Sequence, residues 1–334
     1  MSKAIYLLIV LTVSLTAHSQ LGLRTQQGVE RVTTLTANPV ENANQIVVRC
    51  GSPNAKVHTI ADALKLIGRA RPAVLLISGT CRENVAINSL DRVTLQGNPT
   101  ATIDGGADPN VGTVEIADSQ SILLSNLTIT AGGEGVGCFG QSLCRLNQVT
   151  IQNSLADGAA VGVRAHMQFA DSVIQNNASV GLSIGAGSAN LFGGSITGNA
   201  DDGVSMSGGG FLGIAAGDLI PNVTISNNAG NGITAGLRNS VTINSADIRG
   251  NAFDGISLQA GSSLRIVGSS VSNNGGHQIR IGDLSLARFV GFGNAVTGTN
   301  APDVVCDPVF SATRNFANLT GTTTNCPAEL PAIP

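Results

Sequence analysis

A period of about 23 residues, written in Ile, Asn, Gly and alternating apolar residues, constrains this chain more than any other feature. Aligned on the apolar residue that opens each unit, the series runs Ile151, Ile174, Ile196, Ile225, Ile248 and Val271. The steps are 23, 22, 29, 23 and 23 residues, so one unit carries an insertion around "GGGFLGIAAGDLIP". Three places after the opener stand Ser154, Asn177, Asn199, Asn228, Asn251 and Asn274. Seven places after come Gly158, Gly181, Gly203, Gly232 and Gly255, with Gln278 breaking the series. At eight and ten places apolar residues alternate, as in Leu182/Ile184 and Ile256/Leu258, which spells a strand with one buried face. A second alternation, Val241/Ile243 or Leu264/Ile266, precedes the next opener.

Short strands at this period, with turn residues between them and no helical pattern, predict a solenoid. A strand of four residues cannot bury its apolar side alone. Stacked coils can, each inward Ile, Leu or Val contributing about 1.5–3 kcal/mol. The recurring Asn is expected to hydrogen-bond its counterparts one coil above and below. The Gly that follows is expected to supply a positive φ for the turn.

The ends read differently. Lys3, the apolar run Ile5 to Val13 and the small residues Ala17 and Ser19 predict a secretory signal peptide over 1–19, cleaved before Gln20. The mature chain is then expected outside the cytoplasm, secreted or periplasmic, with no membrane span. All six cysteines follow the signal, and an even count in an oxidising compartment favours disulfides. Pairing of sequence neighbours is expected: Cys50–Cys81, Cys138–Cys144 (bracing a protruding loop) and Cys306–Cys326. A net charge of −3 offers nucleic acid no basic patch, and the mature chain holds neither Trp nor Tyr for sugar stacking. Phe169, Phe192 and Phe253 read as core or edge packing.

The segments "NNASVGLSI", "NADDGVSM", "NAGNGITA" and "NAFDGISL" resemble the repeat of right-handed parallel β-helix proteins, the pectate-lyase-like superfamily. "VHTIADALKLIGRA" is similar to the helix that caps the first coil in such proteins, with His58 at its start. The resemblance implies an all-β fold, a right-handed parallel β-helix with an N-terminal helical cap. It divides the chain into a signal (1–19), an N-terminal extension (20–56), the capped β-helix (57–300) and a disulfide-braced tail (301–334). It says little of activity, because the superfamily mixes lyases, hydrolases, esterases, epimerases and proteins without catalysis.

The place six after each opener reads Asp157, Val180, Asp202, Asn231, Asp254 and His277. With coils in register, Asp202, Asn231, Asp254 and His277 line one sheet edge, about 5 Å apart. Arg280 points outward beside them, where other coils carry Ser183, Ser205, Thr234 and Ser257. Asp202, Asp254, His277 and Arg280 supply the acid, base and carboxylate clamp of a polysaccharide lyase or glycoside hydrolase, with Asn231 and Ser257 binding substrate. The competing reading is that Asp and Asn before Gly shape turns. No cofactor is expected, though Asp202 and Asp254 leave room for a weak calcium site. His58 and His166, the latter read in a turn beside Met167, are assigned structural roles. Two functions fit: an exported protein that binds or processes an acidic polysaccharide or cell-surface glycan, or a non-catalytic adhesive rod at a surface or in a matrix.

Overall fold

The structure, a computed structural model, describes residues 44–68, 72–291, 293–307, 319 and 321–326, together with the backbone of Ala312–Arg314. The expected signal peptide, and the extension up to residue 43, lie outside the described residues.

The chain winds as a parallel solenoid whose coils each contribute to three sheets. Sheet I has ten strands, from Val85–Asn88 through Ala159–Val161, Leu182–Gly185 and Ile256–Leu258 to Val304–Cys306. Sheet II runs through Leu143–Asn147, His166–Ala170, Ser188–Phe192, Phe211–Ala215, Ser240–Asn244, Ser263–Val267, Leu286–Val290 and Ala312–Arg314. Sheet III holds the openers, paired Ile129, Ile151, Ile174, Ile196, Ile225, Ile248, Val271 and Val296 along the axis. The column therefore extends past both ends of the series legible in the sequence, to Ile103 and Cys81 before Ile129 and to Val296 after Val271. In the first coils sheets II and III merge into long strands, Ala73–Arg82, Val93–Asp104 and Ile122–Thr130. The sheet already begins at Asn44–Arg49, which pairs with Ala73–Ser78 inside the stretch read as an extension. At the other end Val304–Cys306 still pairs with Ile279–Ile281 inside the tail.

Inward side chains of all three sheets form one continuous apolar core. The amphipathic segment folds as a helix, Ile60–Ile67, which starts two residues after His58 and has Thr59 as its N-cap: Thr59 Oγ1 accepts from the Asp62 amide at 3.1 Å. Glu83, from the next turn of chain, accepts from the amides of Ile60 and Ala61 at 2.7 and 2.9 Å. A carboxylate at a helix N-terminus satisfies donors that have no partner within the helix. Ile60, Ala63 and Ile67 close over the apolar first coil.

The Asn residues form the expected ladder. Each Oδ1 accepts from the backbone amide and the Nδ2 of the residue one coil earlier, as Asn251 Oδ1 does from Asn228 at 3.1 and 2.9 Å. The same pair of bonds joins Asn177 to Asn199, Asn199 to Asn228 and Asn251 to Asn274. Gln278, which interrupts the glycine series, ends the ladder: its Oε1 accepts both bonds from Asn274.

The glycines correct the sequence reading. Gly158, Gly181, Gly203, Gly232 and Gly255 do not have positive φ; that falls on Asn153, Asn176, Gly198, Asn227, Gly250 and Asn273, the places just before the ladder. Gly is needed at the seventh place because a Cβ on Gly181 would sit 2.6 Å from the Gly203 carbonyl oxygen and 2.7 Å from Asn199 Nδ2. The ladder and the next coil occupy the room a side chain would take.

All three disulfides join sequence neighbours, Cys50–Cys81, Cys138–Cys144 and Cys306–Cys326. Cys138–Cys144 braces no protruding loop. Both residues face the core, in register with Val161 and Met167 of the next coil, and are fully buried.

Candidate functional surfaces

The sixth-place residues do line one edge of sheet I, and their side chains are used between coils. Asp202 Oδ1 accepts from the Asn231 amide at 2.6 Å, Asn231 Oδ1 from the Asp254 amide at 2.8 Å, and Asp254 Oδ1 from the His277 amide at 2.8 Å. This is a second ladder, alternating Asp and Asn in one structural task. Arg280 projects outward, and its Nε donates to Asp254 Oδ2 at 2.6 Å. Both oxygens of Asp254, a buried residue, are thus engaged. Ser257 is buried, with its hydroxyl 3.3 Å from Gln259 Nε2, and the His277 ring lies against the Pro302 carbonyl at 2.8 Å. Burial raises the pKa of Asp202, against hydrogen bonds from Thr234 and Asn231 that favour its charged form.

The strip reaches further than the sequence register indicated. Backbone pairing puts Glu134 at the sixth place one coil before Asp157, and Glu115 on the neighbouring outward position. Burial, with the charges of Asp157 and Glu115 behind it, raises the pKa of Glu134. This edge of sheet I is acidic over most of its length. Elsewhere Cys50, Cys81 and Glu83 converge, but the thiols are joined and the carboxylate holds the helix N-terminus, so that group has no free ligand for a metal.

Sheet II presents the opposite chemistry. Its central outward row reads Arg145, Gln168, Asn190, Gly213, Thr242, Arg265, Arg288 and, by backbone register, Arg314. From Leu143 to Val290 none of its outward positions is acidic. Among the described residues Arg145, Arg265 and Arg288 form no ion pair, whereas Arg82, Arg92, Arg249 and Arg280 do. Arg265 Nη1 contacts only Asn244 Oδ1, at 3.4 Å, and the shielded Nε of Arg145 has no hydrogen-bond partner.

His166 is not in a turn. It opens the sheet II strand His166–Ala170 and faces outward, its Nδ1 2.7 Å from Ser188 Oγ and its Nε2 3.4 Å from Asn190 Nδ2. The 29-residue unit places its extra residues beside this face, mainly between Phe211–Ala215 and Val223–Ser226. The resulting loop is held by Asp171, which accepts from the amides of Leu219 and Ile220 at 3.2 and 2.9 Å. Leu219, Ile220 and Phe211 are exposed around it, and so is Phe253 in a turn elsewhere, contrary to its reading as packing. Phe169 is core and Phe192 half-buried.

The family described as "Right handed beta helix region" matches residues 164–325, in agreement with the parallel strand pairing from coil to coil. The chain folds as a right-handed parallel β-helix. Among solved structures, this β-helix is similar to the A-module of mannuronan C-5 epimerase AlgE4 from Azotobacter vinelandii: TM-score 0.53, 12% identity, 85% of this chain and 86% of that chain covered. The A-module of AlgE6 from the same organism gives 0.49 at 13% identity, covering 85% and 89% of the two chains. Pectate lyase Pel9A gives 0.41 at 12% identity, covering 86% and 82%. At 12% identity the likeness to the AlgE4 module is one of fold. No curated protein matches the sequence. No helix among the described residues is long and apolar enough to cross a membrane.

Proposed function

We propose that the β-helix binds an acidic polysaccharide along the outer face of sheet II. The unpaired arginine row carries this reading. Cations with no carboxylate among their outward neighbours are costly to keep on adjacent rungs unless an anion joins them, and the guanidinium fork matches a carboxylate. Rungs about 4.8 Å apart suit a polymer with a charge on every sugar. Amides and a hydroxyl at Gln168, Asn190 and Thr242 supply donors and acceptors for hydroxyl groups between the cationic ends. The similarity to a mannuronan epimerase, whose named substrate is a uronic-acid polymer, supports the same class of ligand. The acidic edge of sheet I, on this reading, shapes the turns between coils. A location outside the cytoplasm goes with it, supported by three disulfides and no free cysteine among the described residues.

Retention on immobilised polyuronate, with neutral dextran as control, tests the proposal. Binding should weaken with salt, since exposed charges are screened within about 8–10 Å at physiological ionic strength. Arg265→Ala with Arg288→Ala should weaken it about tenfold or more at an unchanged melting temperature. Equal retention of the double variant, or of the parent on dextran, would overturn the assignment to this face. Appearance of reducing ends or unsaturated uronides would show processing as well as binding. Retention on no polymer at all would return the chain to the adhesive-rod reading.

A further inference from the structure

We propose that Ser188 and His166 form a nucleophile–base pair that hydrolyses an acyl ester carried by the polysaccharide bound on sheet II. The substrate class rests on the binding reading above; the pair itself rests on its own geometry.

The two residues come from adjacent coils, at positions that the register places side by side. Their contact of 2.7 Å lies within the range of a hydroxyl donating to an imidazole nitrogen. Nothing in the fold requires it. Equivalent outward positions carry Leu143, Phe211, Ser240, Ser263 and Leu286, where the only side-chain hydrogen bond is the longer Ser263–Ser240 contact at 3.5 Å. Burial, together with the charge of Arg145 on the preceding coil, lowers the pKa of His166. The ring is therefore neutral at neutral pH and able to take a proton. A base needs a third group to fix its tautomer, and Asn190 stands at Nε2. Asn190 is placed with Nδ2 3.4 Å from Nε2; the base role, with Nδ1 accepting from Ser188 and Nε2 bearing the hydrogen, requires that amide turned so that its oxygen accepts. Gly213 gives that amide room: a Cβ there would lie 2.2 Å from Asn190 Oδ1.

The chemistry balances with water as the only co-reactant. Ser188 Oγ attacks the acyl carbon as its proton passes to His166 Nδ1. The charge of Arg145, on the coil before His166, favours the resulting oxyanion. Collapse expels the sugar oxygen, which takes the proton back from His166 and leaves an acyl-Ser188. Water then attacks that ester, His166 again accepting the proton, and the acid departs with Ser188 restored. Phe211, 39% exposed on the rung beyond Ser188, offers an apolar wall for the acyl group.

A fluorophosphonate probe, which phosphonylates an activated serine with loss of fluoride, tests this on the full-length protein. The chain contains many serines, and peptide mapping should place the label on Ser188. Ser188→Ala should abolish labelling, and His166→Ala should slow it by about 10²–10⁴-fold. The parent should also release acid from an O-acetylated polyuronate. Labelling of another serine, or none in the parent, would overturn the pair even if a variant failed to fold. A parent that is retained on polyuronate yet never labels refutes the pair and leaves the binding reading standing. Labelling at Ser188 without retention on polyuronate upholds the pair and refutes the polymer.

Discussion

Asn251 shows how one side chain is shared between three coils. It accepts twice from Asn228, donates to Asn274 Oδ1 at 2.9 Å and donates to the Ile225 carbonyl at 3.2 Å, while only 1% exposed. Asn251→Ala removes these partners and leaves buried donors on Asn228 unmatched, at a cost of about 1–3 kcal/mol. Thermal unfolding should begin about 2–4 °C lower for each kcal/mol, whereas Asn222→Ala, exposed on the insertion loop, should change nothing measurable. A parent-like melting curve for Asn251→Ala would remove the ladder from the account of stability. Asp202 makes the opposite case. Its folded pKa lies above the ordinary 3.8, chiefly through burial, so the native state holds the proton more tightly than the unfolded chain does. Its carboxyl therefore costs nothing below the unfolded value, and stability falls as pH rises through the raised one. Asn231 already serves the same rung as an amide. Asp202→Asn should accordingly melt higher than the parent at neutral pH, by about 1–3 °C, with the gain vanishing near pH 3. A gain that persists in acid would exclude ionisation as its cause.

At the level of strands and loops, inward and outward positions obey different constraints, and this decides what a sequence can disclose. Inward residues stack on copies of themselves, so Ile151 to Val271, the ladder and the sheet I alternation repeat visibly. Outward residues on sheet II meet solvent or ligand, no stacking rule fixes them, and the row from Arg145 to Arg288 has no period to read. His166 was legible only as a residue near a turn for that reason. Glu134 was hidden otherwise: up to Thr130 sheets II and III fuse into long strands, and the 23-residue spelling is lost. The acidic edge that the repeat did reveal also hydrogen-bonds from coil to coil, because a regularly spaced polar residue is what a ladder requires. The insertion loop is anchored by one side chain from another coil, Asp171. Asp171→Ala should free residues 216–222 and speed their cleavage by a protease at least several-fold, with little change in global melting. Unchanged cleavage would mean that the loop is held by its own turn, the 3.1 Å bond from the Gly217 amide to the Ile220 carbonyl.

Across the whole molecule, stability is distributed along one axis. Each inner coil is hydrogen-bonded and packed on both sides, while a terminal coil has one neighbouring coil and needs another support. At the start that support is the helix Ile60–Ile67 and Cys50–Cys81, which ties Asn44–Arg49 to Ala73–Arg82. At the end it is Cys306–Cys326, which fastens the segment 321–326 to the last strand of sheet I. The third disulfide lies in the middle, fully buried, between strands already paired on both sides. Reductant should therefore act unevenly. Hydrogen exchange under mild reduction should speed up in residues 44–68 and 295–326, where the bridges replace a missing coil. Residues 159–281 should keep their slow exchange, because ladder, core and both neighbours persist there without any disulfide. A uniform loss of protection along the chain would show that the solenoid unfolds as a single cooperative unit; unequal loss marks the ends as the places where unfolding starts.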